Sequence, residues 1–172
     1  MSQKTTGLVH GAEDAGMRQM AAGSSTTGIA AGTVVLTLDG ALPVEFIEPG
    51  DRIITRQGMR IVRGVRVTRY SGPAIRIASG ALGHDRPEQD LILPAETPVL
   101  VRDWRAEALF GARAVVVPVE RLADGEFIAP VTALSLRLHD LRFDSPQVIY
   151  AEGLEIACPA VGSADEARLA AE

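Results

Sequence analysis

The chain has 172 residues, 47% of them hydrophobic, and a net charge of −5. That is enough sequence to bury a core without crosslinks, and too apolar a composition for a disordered segment. Cys158 is the only cysteine, which excludes an intrachain disulfide and a cysteine-rich zinc site. No stretch reaches 18 apolar residues, so no membrane insertion is expected. Lys4 has no continuous apolar run behind it, so no signal peptide is read and the cytoplasm is the default expectation.

In chain order, residues 1 to 27 are rich in Gly, Ser, Thr and Ala with no lasting period, and read as a flexible leader. Thr33 to Leu38 (TVVLTL) is strongly β-prone and runs into Asp39-Gly40, a hairpin signal. A short apolar segment with Val44, Phe46 and Ile47 leads to the turn Pro49-Gly50-Asp51, and Asp51 to Arg56 forms the next strand. Met59 to Thr68 reads as one strand with a wet face, Gly64 marking a bulge or bend. Ser71-Gly72-Pro73 reads as a turn before another short strand, Ala74 to Ala78. A polar loop follows from Ser79 to Asp90, with room for one helical turn. Leu91 to Pro94, Pro98 to Asp103 and Ala112 to Val119 are β-prone, with Glu107 to Gly111 as a brief apolar knob. Glu120 to Gly125 suggests a helical turn stopped by glycine. Thr132 to His139 carries the cleanest period-two alternation, at Leu134, Leu136 and Leu138. Gln147 to Gly153 adds a further strand, and residues 161 to 172 read as a frayed acidic tail. The sum is an all-β domain of about ten to twelve short strands, its ordered body opening near Gly32.

The arginines cluster. Arg52, Arg56, Arg60, Arg63, Arg66, Arg69 and Arg76 face a single acid, Asp51, in that stretch. Tyr70 is the only aromatic among them, so stacking on bases has no support and no nucleic-acid partner is expected. The strands instead present a solvated face able to pair with acidic neighbours elsewhere on the fold, or with an acidic protein partner.

Motifs for chemistry are scarce. His10, His84 and His139 are far apart, without metal-ligand spacing. His139 precedes Asp140, but strand neighbours point to opposite faces, and a structural role is the plainer reading. Cys158 reads as a small buried residue, since a nucleophile needs an adjacent base and a lowered pKa. Neither a phosphate-binding G-x-x-x-x-G-K-[ST] nor a G-x-S-x-G elbow is present. The chain contains no asparagine, so asparagine cyclisation cannot occur within it. No catalytic, cofactor-binding or metal-binding residue is assigned.

The order of turns and strands nevertheless resembles a known family. Ala31-Gly32-Thr33 followed by TLDGALPVEFIEPGDRIITRQG is similar to the opening of the Hint (Hedgehog/intein) domains in their bacterial branch. Three later blocks agree: Leu91 to Val101, Leu109 to Gly125, and Ser135 to Ala157. The resemblance implies a compact β-disc over residues 28 to 160 that brings residues near 28 within about 20 Å of the C-terminal strands near 150 to 158. It also implies where chemistry should be. The family's nucleophilic cysteine stands four residues before the glycine of the opening G-T, which is Gly28 here, and its second-block histidine falls on Thr97, with Pro98 after it in place of the usual arginine. Glycine offers no attacking atom and threonine no imidazole base. The resemblance therefore implies a degenerate, autoprocessing-deficient domain kept as a structural or interaction scaffold. The alternative is a hydrolase or self-cleaving domain with a non-standard nucleophile, Cys158 or one of Ser24, Ser25, Thr26 and Thr27. Relatives of this family often sit in exported proteins, which leaves the compartment open.

Overall fold

The computed structural model describes residues 27–162. Of the expected leader and tail, all but Thr27, Val161 and Gly162 lies outside the described residues.

Among the described residues, twelve strands and one short α-helix follow in order: β1 (Ile29–Ala30), β2 (Val34–Thr37), β3 (Gly40–Pro43), β4 (Arg52–Thr55), β5 (Gly58–Ile61), β6 (Gly64–Ile77), β7 (Leu91–Pro94), β8 (Pro98–Val101), α1 (Trp104–Phe110), β9 (Val115–Pro118), β10 (Ile128–Arg142), β11 (Gln147–Ala151) and β12 (Leu154–Cys158). They form two sheets. One runs β1-β10-β6-β7; the other runs β3-β2-β4-β11-β12-β8-β9, with β5 added beside β4. One apolar core joins the sheets. Ile75, Ile77, Leu93 and Ile128 of the first pack with Val35, Ile53, Val99, Ile149 and Ile156 of the second. Each such side chain, fully buried, contributes roughly 1.5–3 kcal/mol.

The hairpins β2–β3 and β4–β5 are built alike. Thr37-Leu38-Asp39-Gly40 and Thr55-Arg56-Gln57-Gly58 each place a threonine at the strand end and a glycine at positive φ, +120° for Gly40 and +92° for Gly58. The threonine hydroxyl donates to the glycine carbonyl, at 2.5 Å in the first turn and 2.7 Å in the second. The same hydroxyl accepts the amide two residues on, at 3.2 and 3.1 Å. This local side-chain bonding is why a threonine-glycine pair ends a strand cleanly.

Three sequence readings change. The apolar knob at Glu107 to Gly111 belongs to helix α1, which Asp103 caps by accepting from the Arg105 amide at 2.9 Å and which Gly111 ends in the left-handed conformation. Met59 to Thr68 is not one strand: β5 ends at Ile61 and Gly64 opens β6, while the register shift lies on β10 between Ala133 and Leu136. That shift leaves Leu134 82% exposed, so the leucine alternation does not mark one buried face. Ser71-Gly72-Pro73 is not a turn but continues β6 opposite Thr132 to Ala133. Pro73 is tolerated because β7 joins β6 only from Ala74, so its missing N–H has no strand to serve.

The arginines meet acids. Arg52 pairs with Asp39, Arg56 with Glu155, Arg63 with Asp144, Arg66 with Asp140 and Arg76 with Asp90. Five of the seven arginines between 52 and 76 thus face a carboxylate, most of them supplied from distant sequence.

Candidate functional site

The two positions singled out by the resemblance come together. Gly28, Thr97, His139, Asp140 and Cys158 line one small cavity, with Thr27, Ile29, Leu141, Ile156 and Ala157 completing its wall. The expected proximity of residue 28 to the C-terminal strands is therefore observed.

Each side chain is positioned by ordinary ladder geometry. β1 pairs with β10 through Ile29 opposite His139 and Ala30 opposite Leu138, which sets Gly28 against the same strand. Gly28 has φ +143°, and a Cβ built on it would lie 3.1 Å from Leu138 Cβ and 3.5 Å from the His139 carbonyl oxygen. A side chain here would be strained by the backbone conformation and crowded by Leu138. Thr97 sits in the β7–β8 turn, its amide donating to the Pro94 carbonyl at 3.0 Å and its carbonyl accepting from the Val119 amide at 2.9 Å. Its side chain is fully buried and its hydroxyl has no partner. His139 is buried on β10, and its Nε2 also lacks a partner. Burial lowers its pKa, the Arg137 charge lowers it further, and Glu45 opposes both, so the imidazole is neutral near pH 7.

Cys158 ends β12 opposite Gln147. Burial pushes its thiol pKa well up, the Asp140 charge adds to this, and Arg142 opposes it. A thiol so held is protonated at neutral pH and inert as a nucleophile. Asp140 accepts from Arg142 Nη2 at 2.8 Å and Nε at 3.2 Å, and from Arg66 Nη2 at 3.5 Å. The corner thus contains a base, His139, without an activated nucleophile beside it. Thr27 is part of the cavity wall; Ser24, Ser25 and Thr26 lie outside the described residues. The sequence did not place His139 beside Gly28 or Cys158; the pairing of β1 with β10 does so. His84 lies in the polar loop after β6 and takes no part. No group of three or more His, Cys, Asp or Glu side chains that could hold a metal ion occurs among the described residues. No described helix is long and apolar enough to cross a membrane.

The residues that carry the opening pattern have structural work around this corner. Glu45 Oε2 accepts the Gly32 amide at 2.7 Å, which holds the turn between β1 and β2 and draws the Glu45 carboxyl below its usual pKa. Asp51 Oδ2 accepts the Glu48 amide at 2.9 Å, closing the Pro49-Gly50 turn. Glu152, at positive φ in the β11–β12 turn, clasps β2: its amide donates to the Val34 carbonyl at 2.8 Å, and its Oε1 accepts the Val34 amide at 3.0 Å.

Comparison with known proteins agrees with this architecture. The structure is similar to the bacterial intein-like domain from Clostridium thermocellum, with TM-score 0.57 and 16% identity over 78% of this chain and 99% of that one. It is also similar to a DnaB intein from Synechocystis sp. PCC 6803, with TM-score 0.53 and 13% identity over 77% of this chain and 99% of that one. The gp41-1 intein gives TM-score 0.52 and 12% identity over 77% and 98%. At such identities the likeness concerns the fold. No curated protein matches the sequence. The profile of the Hint domain family matches residues 27–158, most of the chain, and the protein belongs to the Hint domain family.

Proposed function

We propose that this is a Hint domain that no longer processes itself and is retained as a structural or interaction scaffold. The observation that carries this reading is the backbone at position 28. An acyl shift begins when a side-chain thiol or hydroxyl attacks the preceding carbonyl. At Gly28 there is no such group, and at φ +143°, with Leu138 Cβ 3.1 Å from where a Cβ would stand, a side chain there would be strained and crowded. The losses elsewhere point the same way. Thr97 puts a hydroxyl where an imidazole would assist, and the absence of asparagine removes the cyclisation that releases a C-terminal flank. Cys158 is within the same corner, but its buried, protonated thiol argues against a substitute nucleophile.

A scaffold of this kind acts through its surface, and the partner that suits it is a protein. Carboxylates already neutralise most of the arginine stretch, which argues against a nucleic-acid partner. The test of the reading is intact mass after about a day at 37 °C, with and without dithiothreitol or hydroxylamine. The mass is expected to stay unchanged. A thiol- or hydroxylamine-dependent break just before any of residues 24 to 28 would overturn the reading.

A further inference from the structure

Thr97 and His139, whose buried Oγ1 and Nε2 are left without partners, line the same cavity. Leaving a buried polar atom unpaired costs about 1–3 kcal/mol, and two around one void call for a shared explanation. The cavity measures about 10 Å³, close to the ~10–15 Å³ of accessible space that one water molecule needs. Its lining is mixed: Ile29, Leu141 and Ile156 are apolar, Thr97 and His139 polar.

From these observations we propose that the corner is a binding site for a single structural water, bridging Thr97 Oγ1 and His139 Nε2. The chemistry excludes the other small occupants. A cation would need a carboxylate, and Asp140 is already engaged by Arg142 and Arg66. An anion would be buried beside the Asp140 carboxylate, and a phosphate or sulfate is several times too large for the space. An apolar filler would leave both polar atoms unpaired. Water serves either imidazole tautomer, donating to Nε2 or accepting from it, and has a donor and a lone pair left for the threonine hydroxyl. A neutral His139 suits this arrangement. The inference goes beyond the loss of self-processing and does not depend on it: it concerns what fills the corner, whether or not the chain cleaves itself.

The test uses the purified chain in solution and in crystals. In a crystal structure at about 1.5 Å resolution, an ordered water within hydrogen-bond distance of both Thr97 Oγ1 and His139 Nε2 is expected. In solution, water-selective NOE spectra should show contacts from a long-lived water to the Thr97 methyl and His139 ring protons. Thr97→Val keeps the shape and removes one partner of the water. It should lower the unfolding midpoint by about 3 °C and abolish the long-lived water signal. A dry cavity predicts the opposite sign, because valine would then remove an unpaired hydroxyl and raise the midpoint. Absence of the water in the wild-type protein by both methods, or a raised midpoint in Thr97→Val, overturns the proposal. The wild-type measurement decides the matter even where the variant fails to fold.

Discussion

The β2–β3 and β4–β5 turns and the corner around Gly28 treat polar groups in opposite ways. In the turns, Thr37 and Thr55 are buried, and each hydroxyl both donates and accepts within four residues of chain. In the corner, Thr97 is equally buried, yet its hydroxyl meets no protein partner, and neither does His139 Nε2. Turns that shape the scaffold are satisfied by their own sequence. A corner assembled from residues 27 to 29, 97, 139 to 141 and 156 to 158 depends on four separate segments agreeing.

The comparison can be broken most sharply at Gly28. Gly28→Ala should destabilise the protein by about 3 kcal/mol, from positive-φ strain together with overpacking against Leu138. Urea denaturation of both proteins measures it. A loss under about 0.5 kcal/mol would mean that the corner admits a side chain after all. A smaller effect is expected in the turn. Thr55→Val should cost about 2 kcal/mol, because the Gln57 amide and the Gly58 carbonyl lose their shared partner. Its sign is opposite to what a dry corner would give for Thr97→Val, and an unchanged urea midpoint would remove the contrast between the regions.

The smallest effect is the pH dependence of the corner. The folded state holds His139 neutral with a lowered pKa, so the unfolded chain binds a proton more readily. The stability this contributes is complete above the unfolded value near 6.5 and is lost as pH falls through 6.5 toward the folded value. Glu45, Asp90 and Asp124 have lowered carboxyl pKa values, and their contribution fades only in more acidic solution. Denaturation midpoints between pH 7.5 and 5.5 should therefore fall, and fall less in His139→Gln. Equal slopes would show that His139 does not carry the dependence.

Much of the scaffold is legible in the sequence, because its signals are local. Asp39-Gly40 and Pro49-Gly50-Asp51 are turns, and the strands flanking them form as their β-branched residues suggest. The same local logic misleads at Ser71-Gly72-Pro73, where glycine and proline lie inside a 14-residue strand held by β10. Helix α1 is too short for periodicity to register, although Asp103 and Gly111 do mark its ends. The corner is legible only in part. The family resemblance pointed to Gly28 and Thr97 together. It also brought the C-terminal strand of Cys158 near position 28; that His139 joins them follows from β10 pairing with β1, which one sequence does not reveal.

The proposal that the chain does not process itself rests on the strained, crowded backbone at position 28 as well as on the missing side chain. The most direct test extends the intact-mass assay to the double variant Gly28→Cys with Thr97→His, incubated beside the wild type with dithiothreitol or hydroxylamine. The account predicts unchanged masses for both folded proteins, since the new Cβ at 28 would lie 3.1 Å from Leu138 Cβ on a positive-φ backbone, and a misaligned thiol loses rate steeply. A thiol-dependent break before residue 28 in the folded double variant would contradict it, because only the reactive groups would then have been lost.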